Sequence, residues 1–396
     1  MLSIKAMQIN PSPTLAIDAR AKQMKSEGID VIGFGAGEPD FETPEHIKVA
    51  AIEAIRQGFT RYTPASGIPE LKAAICYKLR QENDLDYEPE QIVVSNGAKH
   101  CLDNVFAAIL NPGDEVIIPA PYWVSYPELV KLNDGVPVAL ETRPGNNYKA
   151  SIEDLQRALT PRTKALVLNS PCNPTGQVYS REELTQIAAF AVHHQVLIVS
   201  DEVYEKLIYG NSEHVSIASL SEEAKKMTIT VNGASKTYAM TGWRIGYTAA
   251  EKDVAKAIAS IQSHAASNPN SIAQKAALAA ITSSQECVES MRQAFSERRD
   301  YMVKRINDMP YISCIEPEGA FYLFANLSGA FSRTFQGSRL EDSDHMAALL
   351  LEHYRIALVP GQGFGAPEYA RLSYATSMEN IREGMDRLEA FLLALH

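Results

Sequence analysis

From Gln91 to Gly233 the chain alternates short runs rich in Val, Ile and Leu with stretches of helical period, and this limits the fold more than any other feature. The runs are QIVVSN, DEVIIPA, VPVALET, TKALVLN, VLIVSD and MTITVNG. Between them lie segments such as SREELTQIAAFAVHH and SIEDLQRAL, the latter opening on Ser151 as a cap with Asp154 three residues on. That order predicts a largely parallel sheet covered by helices on both faces. The next β-rich run, WRIGYTAA, follows TITVN after about ten residues, fewer than the dozen or more a parallel crossover requires. This seventh strand is therefore expected to be antiparallel. A long helical region, roughly 252 to 306, precedes a tail of different texture with YISCIEPEGAFYLFANL, IALVPG and ARLSYAT, closed by an amphipathic helix from about Glu379.

At 396 residues the chain is too long for one ordinary core. Two domains are expected: a large α/β domain over 46–299, and a smaller α+β domain made by both termini, 1–45 and 300–396. With 37 basic and 48 acidic residues the net charge is -11, so the surface repels nucleic acid and anionic membranes. Any phosphate or carboxylate ligand must then be held by a few placed cations. The start, MLSIKAMQINPSPT, lacks the apolar core of a secretory signal, and no run approaches the roughly 18 apolar residues of a membrane helix. A cytoplasmic location is expected. Cys76, Cys101, Cys172, Cys287 and Cys314 are scattered singly, which argues for reduced, mostly buried thiols.

Loops at the carboxyl ends of parallel strands converge on a crevice where ligands bind. Five such ends carry SNGAKH, PAPYWVSY, NSPCNPTG, SDEVY and NGASK. NGAK, which includes Gly97 and Ala98, offers backbone N–H groups that can close on a phosphate at a helix start, although turns favour glycine anyway. Trp123 can stack on a planar ligand or serve as a packing aromatic. Asn173, taken alone, suits a turn. Asp201 ends a strand apolar on both faces, so its charge needs a cationic partner, and Tyr204 three residues on can donate a phenol hydrogen bond. Lys236 becomes a nucleophile toward carbonyls if its neighbours depress its pKa. An isolated lysine would carry no such weight. The joint order Asn173, Asp201, Tyr204, Ser235, Lys236, Arg244 does.

With PSPTLAIDARA, GAGEPDFETPEHIK, YTPASGIPELKAAI, SKTYAMTGWRIGY, EGAFY and RLSYAT, these strings make the chain resemble the class I, fold-type I pyridoxal-phosphate-dependent aminotransferases, in the subgroup of bacterial aspartate aminotransferases. The resemblance implies pyridoxal 5'-phosphate as cofactor. It casts Lys236 as the lysine that joins the cofactor aldehyde and shuttles a proton. Asp201 would face the pyridine nitrogen, Asn173 and Tyr204 would donate to the ring oxygen, and Trp123 would stack on the ring. Ser235, Arg244 and the amides of Gly97 and Ala98 would cup the phosphate, with Tyr62 reaching it from the partner subunit of a homodimer. Arg371 and Gly37 would take the substrate α-carboxylate, and Thr14 and Lys99 a second, distal one. Aspartate, glutamate and their keto acids are then the expected substrates in a ping-pong exchange, with prephenate or aromatic acceptors as an alternative and a β-eliminating C–S lyase as a further one. The segment HAASNPNS around Ser267 departs from the subgroup's pattern. No metal is called for. GFGAGEP is G-x-G-x-G followed by Pro39, not a dinucleotide fingerprint. His193 and His194 suit a helix end, His345 and His353 lack metal-site spacing, His100 and Cys101 form no nucleophile–base pair, and GQGF reads as a turn.

Overall fold

The computed structural model describes residues 2–9 and 13–396; Pro11 and Ser12, which open PSPTLAIDARA, lie outside the described residues. All seven expected strands form one sheet, in the order Ile92–Ser95, Gly246–Ala249, Thr228–Gly233, Leu197–Asp201, Thr163–Asn169, Glu115–Ala120, Val136–Glu141. Every neighbouring pair is parallel except those of Gly246–Ala249, which runs antiparallel to both its neighbours. The chain before it holds only the short helix Ala234–Thr237 and one turn at Thr241–Trp243, too little to carry it back to the other end of the sheet.

Successive strand residues face opposite ways, and here both faces are apolar. Val116, Ile118, Val167, Val199 and Val231 pack with Cys101, Val105, Tyr126 and Ile258. Ile117, Leu166, Leu168 and Ile198 pack against Leu155, Leu184, Ile187 and Phe190 on the opposite side. This sandwiching is why those strands read as continuous hydrophobic runs. Capping boxes at Ser151 with Asp154 and Ser180 with Glu183 start two of the covering helices, each cap contributing about 1 kcal/mol.

The tail folds as anticipated into a smaller sheet, in the order Val359–Pro360, Tyr369–Ser373, Tyr322–Asn326, Ser313–Cys314, all antiparallel. Near the other terminus, Ile32–Gly33 pairs in parallel with Ile356–Ala357. The closing helix, Met378–Leu393, buries Ile381, Met385, Leu388 and Phe391 in the cluster that holds Ile32 and Phe34. The long helical region is three helices, Lys252–Ala265, Ser271–Thr282 and Glu286–Asp308. HAASNPNS makes the first break, with Ser267 at φ 60° and Asn270 capping the second helix. All five cysteines are free, with Cys76 and Cys101 buried and the other three partly so. No helix among the described residues is long and apolar enough to cross a membrane.

Candidate active site

A cleft of about 540 Å³ opens at the carboxyl ends of the parallel strands. It is lined by Ala98 and Lys99 from the helix start after Ile92–Ser95, by Trp123, by Asn173, by Asp201 and Tyr204, and by Ser235, Lys236 and Arg244. The terminal segments contribute Thr14, Gly37 and Arg371. All the sequence candidates thus line one cleft except Gly97, which caps the helix Ala98–Ile109 beside it, and Tyr62, which projects into solvent at 90% exposure.

The reactive groups sit on the cleft's floor. Lys236 Nζ donates to the Gly37 carbonyl at 2.5 Å. Burial pushes its pKa down to about 8; Glu38 and Asp201 oppose that shift, while Arg371 and Arg244 reinforce it. Asp201 closes its strand between Asn169 and Val231 and is 3% exposed. Burial lifts its carboxyl to about 6, although the Tyr126 hydroxyl donates to Oδ2 at 2.7 Å and the Val203 amide to Oδ1 at 3.3 Å. No lysine or arginine among the described residues pairs with it. The cation expected from the sequence makes no direct ion pair among the described side chains: Lys236 acts on Asp201 only through space, and two neutral donors hold the carboxylate.

Arg371 is the sharper case. It is 1% exposed, donating from Nη1 to Asn173 Oδ1 at 3.0 Å and from Nη2 to the Gly35 carbonyl at 2.9 Å. Nε is buried without a partner. A guanidinium this deep, held by neutral acceptors and by the ring of Tyr322 at 4.3 Å, forms a socket for an anion. At the other end, Lys99 lies over the Trp123 ring at 4.9 Å, and burial followed by the nearby Arg244 lowers its pKa. Thr14 lines the same cleft.

The end of the cleft beside Arg244 is built by close approach. Gly97 has φ +84°, and a Cβ there would fall 2.4 Å from Arg244 Nη2; a Cβ on Gly246 would fall 2.5 Å from the Ala98 nitrogen. Arg244 donates to the carbonyls of Thr241 at 2.8 Å and Asn96 at 3.4 Å, and no acid among the described residues pairs with it. A guanidinium beside a helix N-terminus in a Cβ-free cradle suits a phosphate, a buried carboxylate suits a ring N–H, and an amine of lowered pKa suits an aldehyde. These residues fit pyridoxal 5'-phosphate.

The model of the family "Aminotransferase class I and II" matches residues 29–388. The chain belongs to the class I and II aminotransferases. The aspartate aminotransferase of Geobacillus stearothermophilus is 51% identical over 99% of both chains. A probable aspartate/prephenate aminotransferase of Aquifex aeolicus is 48% identical over 99% of this chain and 98% of its own. Among solved structures, the aspartate aminotransferase of Rhizobium meliloti superposes with a TM-score of 0.97 at 42% identity, covering all of both chains. The fold is that of these fold-type I aminotransferases, and the chain is an enzyme of their class.

Several residues of this aminotransferase's cleft escaped the sequence reading. Tyr126, three residues after Trp123 in PYWVSYPE, had a signal in its helical spacing. Tyr322, at the end of EGAFY, lies inside a string that marked the family but drew no role. Glu38, whose carboxylate accepts from Thr241 Oγ1 at 2.6 Å, and Lys22 also line the cleft. The residues set aside lie elsewhere. His193 and His194 end the helix Arg181–His194, and His353 packs on Phe335 at 5.2 Å. His345 reaches Ser338 at 3.4 Å. His100 Nδ1 accepts the Asn96 amide at 3.1 Å, and burial raises the Cys101 thiol to about 12. GQGF forms a tight helical turn, Gly361–Phe364.

Proposed function

We propose that the chain is a pyridoxal-phosphate-dependent transaminase moving the amino group of aspartate or glutamate to 2-oxoglutarate or oxaloacetate in a ping-pong cycle. The observation that carries this is the buried Arg371 socket, unneutralised by any acid among the described residues, in one cleft with Lys236 and Asp201. Pyridoxal 5'-phosphate, when bound, supplies an aldehyde to carry the amino group and an electron-poor ring to accept an electron pair. Lys236 would hold its aldehyde end, and Ser235, Arg244 and the amides of Gly97 and Ala98 its phosphate. Trp123 would lie on the ring, and Asn173 and Tyr204 would donate to the ring oxygen. Asp201, ionised above about pH 6, would keep a proton on the ring nitrogen, with Tyr126 fixing its orientation.

At pH 7, with a pKa of about 8, roughly a tenth of Lys236 carries a free electron pair, and Nζ can take the proton from the substrate α-carbon. Arg371 grips the α-carboxylate by its planar fork, beside the Gly37 backbone. Lys99 and Thr14 meet the second carboxylate. In a chain of net charge -11, the cleft carries Lys99, Lys236, Arg244 and Arg371 against Glu38 and Asp201, which favours substrates with two carboxylates. Prephenate also has two, and the Aquifex aeolicus relative is named for both substrates.

The working unit in this proposal is a homodimer, with Tyr62 of each copy completing the other's phosphate cup. Residues 46–299 form its large domain, and 1–45 with 300–396 its small one, a division supported by the pairing of Ile32 with Ile356. Five free thiols suit a cytoplasmic location. The test is a panel of amino donors against keto acids, with Lys236→Ala alongside. The wild type should develop a visible absorption band with pyridoxal phosphate and prefer aspartate. Lys236→Ala should lose both band and turnover while still melting cooperatively, and retained turnover would refute the role of Lys236.

A further inference from the structure

Two phenol oxygens meet inside the cleft wall: Tyr204 and Tyr322 lie 2.9 Å apart, hydroxyl to hydroxyl. Both are buried, at 4% and 1% exposure. Burial raises both pKa values, so each oxygen keeps its proton and one phenol must donate to the other. Their surroundings differ. The charge of Arg371 is felt by both phenols, but of the two its guanidinium lies over the Tyr322 ring, 4.3 Å from the centre, whereas the Tyr204 ring meets aromatic edges, Phe321 at 5.4 Å and Tyr322 at 5.8 Å. A cation over a phenol draws electron density from it, making its O–H the stronger donor and its oxygen the weaker acceptor.

We infer that Tyr322 is a positioning residue: it donates to the Tyr204 oxygen, leaving the Tyr204 proton aimed into the cleft at the ring oxygen of bound pyridoxal phosphate. The inference rests on the function proposed above and extends it. A hydroxyl that accepts one hydrogen bond donates more strongly in the next, so Tyr322 reinforces a bond it does not itself make. Tyr204 thus gains a fixed rotor as well as a stronger proton. Tyr322 also joins the group that would grip the α-carboxylate to the group that would face the cofactor.

The test is the visible pH titration of the protein loaded with pyridoxal phosphate, run on wild type, Tyr322→Phe, Tyr204→Phe and the double variant. Tyr322→Phe removes one oxygen and keeps the ring under Arg371. Its titration midpoint should rise by about half a pH unit, a threefold change in proton affinity. Tyr204→Phe should raise it further, and the double variant no further than Tyr204→Phe alone. An unchanged midpoint in Tyr322→Phe, or additive shifts in the double variant, would overturn the inference. Affinity for succinate, an unreactive dicarboxylate, should stay within about twofold in Tyr322→Phe; a tenfold loss would place the effect on Arg371 instead and also overturn it. Failure of the wild type to form any titrating band would sink the cofactor assignment itself, an outcome separate from these.

Discussion

Burial lifts the Asp201 carboxyl to about 6 despite two donated hydrogen bonds, and that has a measurable consequence for stability. The group titrates near 3.8 in an unfolded chain and near 6 in the folded one. The native state therefore binds the extra proton between those values, and stability falls as pH climbs through that window. Above it, the ionised carboxylate costs the cofactor-free fold up to about 3 kcal/mol. Asp201→Asn should thus raise the melting temperature of the cofactor-free protein at pH 7.5 by about 1–3 °C, with the gain vanishing near pH 4. A fall at pH 7.5, measured by calorimetry, would show that the carboxylate is stabilising after all. The charge at a strand end was legible as anomalous in SDEVY; the hydroxyl that holds it was not, because Tyr126 reaches it from the helix Ser125–Leu132 that follows a different strand. Glu202 and Glu205, flanking the same turn, likewise find most of their partners from afar. Glu202 accepts from Ser200 and Ser216 and meets His214 at 3.1 Å, while Glu205 pairs with Lys78 and accepts from Asn83 at 2.8 Å. Glu202, Glu205 and His214 gather within 4.8 Å of one another, and the Lys78 ammonium already pairs with one of the three, Glu205.

At the scale of elements, the parallel strands and the lone antiparallel one could be read from apolar runs and gap length, because both follow from local geometry. The two breaks between Lys252 and Asp308 could not, since the alanine-rich segments on either side of Ser267 carry one helical texture. The start of the helix Ala98–Ile109 shows what an element boundary does for function. Gly97 holds φ +84° and leaves no room for a Cβ beside Arg244. Gly97→Ala would strain the backbone and push the guanidinium out of the cradle, while touching none of the core beneath. The expected result is at least a tenfold weaker affinity for pyridoxal phosphate, corresponding to the loss of about one charge-assisted hydrogen bond, with the far-ultraviolet spectrum preserved. Binding of the free cofactor, followed by the growth of the visible band, measures it; undiminished affinity would mean that Arg244 takes no part in holding phosphate.

For the whole molecule, the distribution of exposed apolar groups bears on assembly. Val49, Ile52 and Ile55 stand 52%, 44% and 54% exposed along one helix, Glu45–Arg56, with Tyr62 at 90% and Tyr77 at 65% on the segments that follow. Apolar side chains three residues apart on a helix share a face, and such a face left in water marks an interaction surface. Tyr62 raised no claim in the sequence except through a second subunit, and it stands exposed outside the lining of its own chain's cleft, which suits the proposed role in a second copy. Isologous pairing would repeat the same patch on both chains. If the pair is what completes the cup, then Ile52→Asp with Ile55→Asp should convert the protein to a monomer in light scattering. Its affinity for pyridoxal phosphate should fall by about the same factor as in Tyr62→Phe, roughly tenfold for one lost hydrogen bond to a charged group. Tyr62→Phe should stay dimeric, because its hydroxyl serves the neighbour's phosphate and not the apolar contact. A monomer that binds the cofactor as tightly as the wild type would show that each cleft is complete within its own chain, and Tyr62 would then have no part in it.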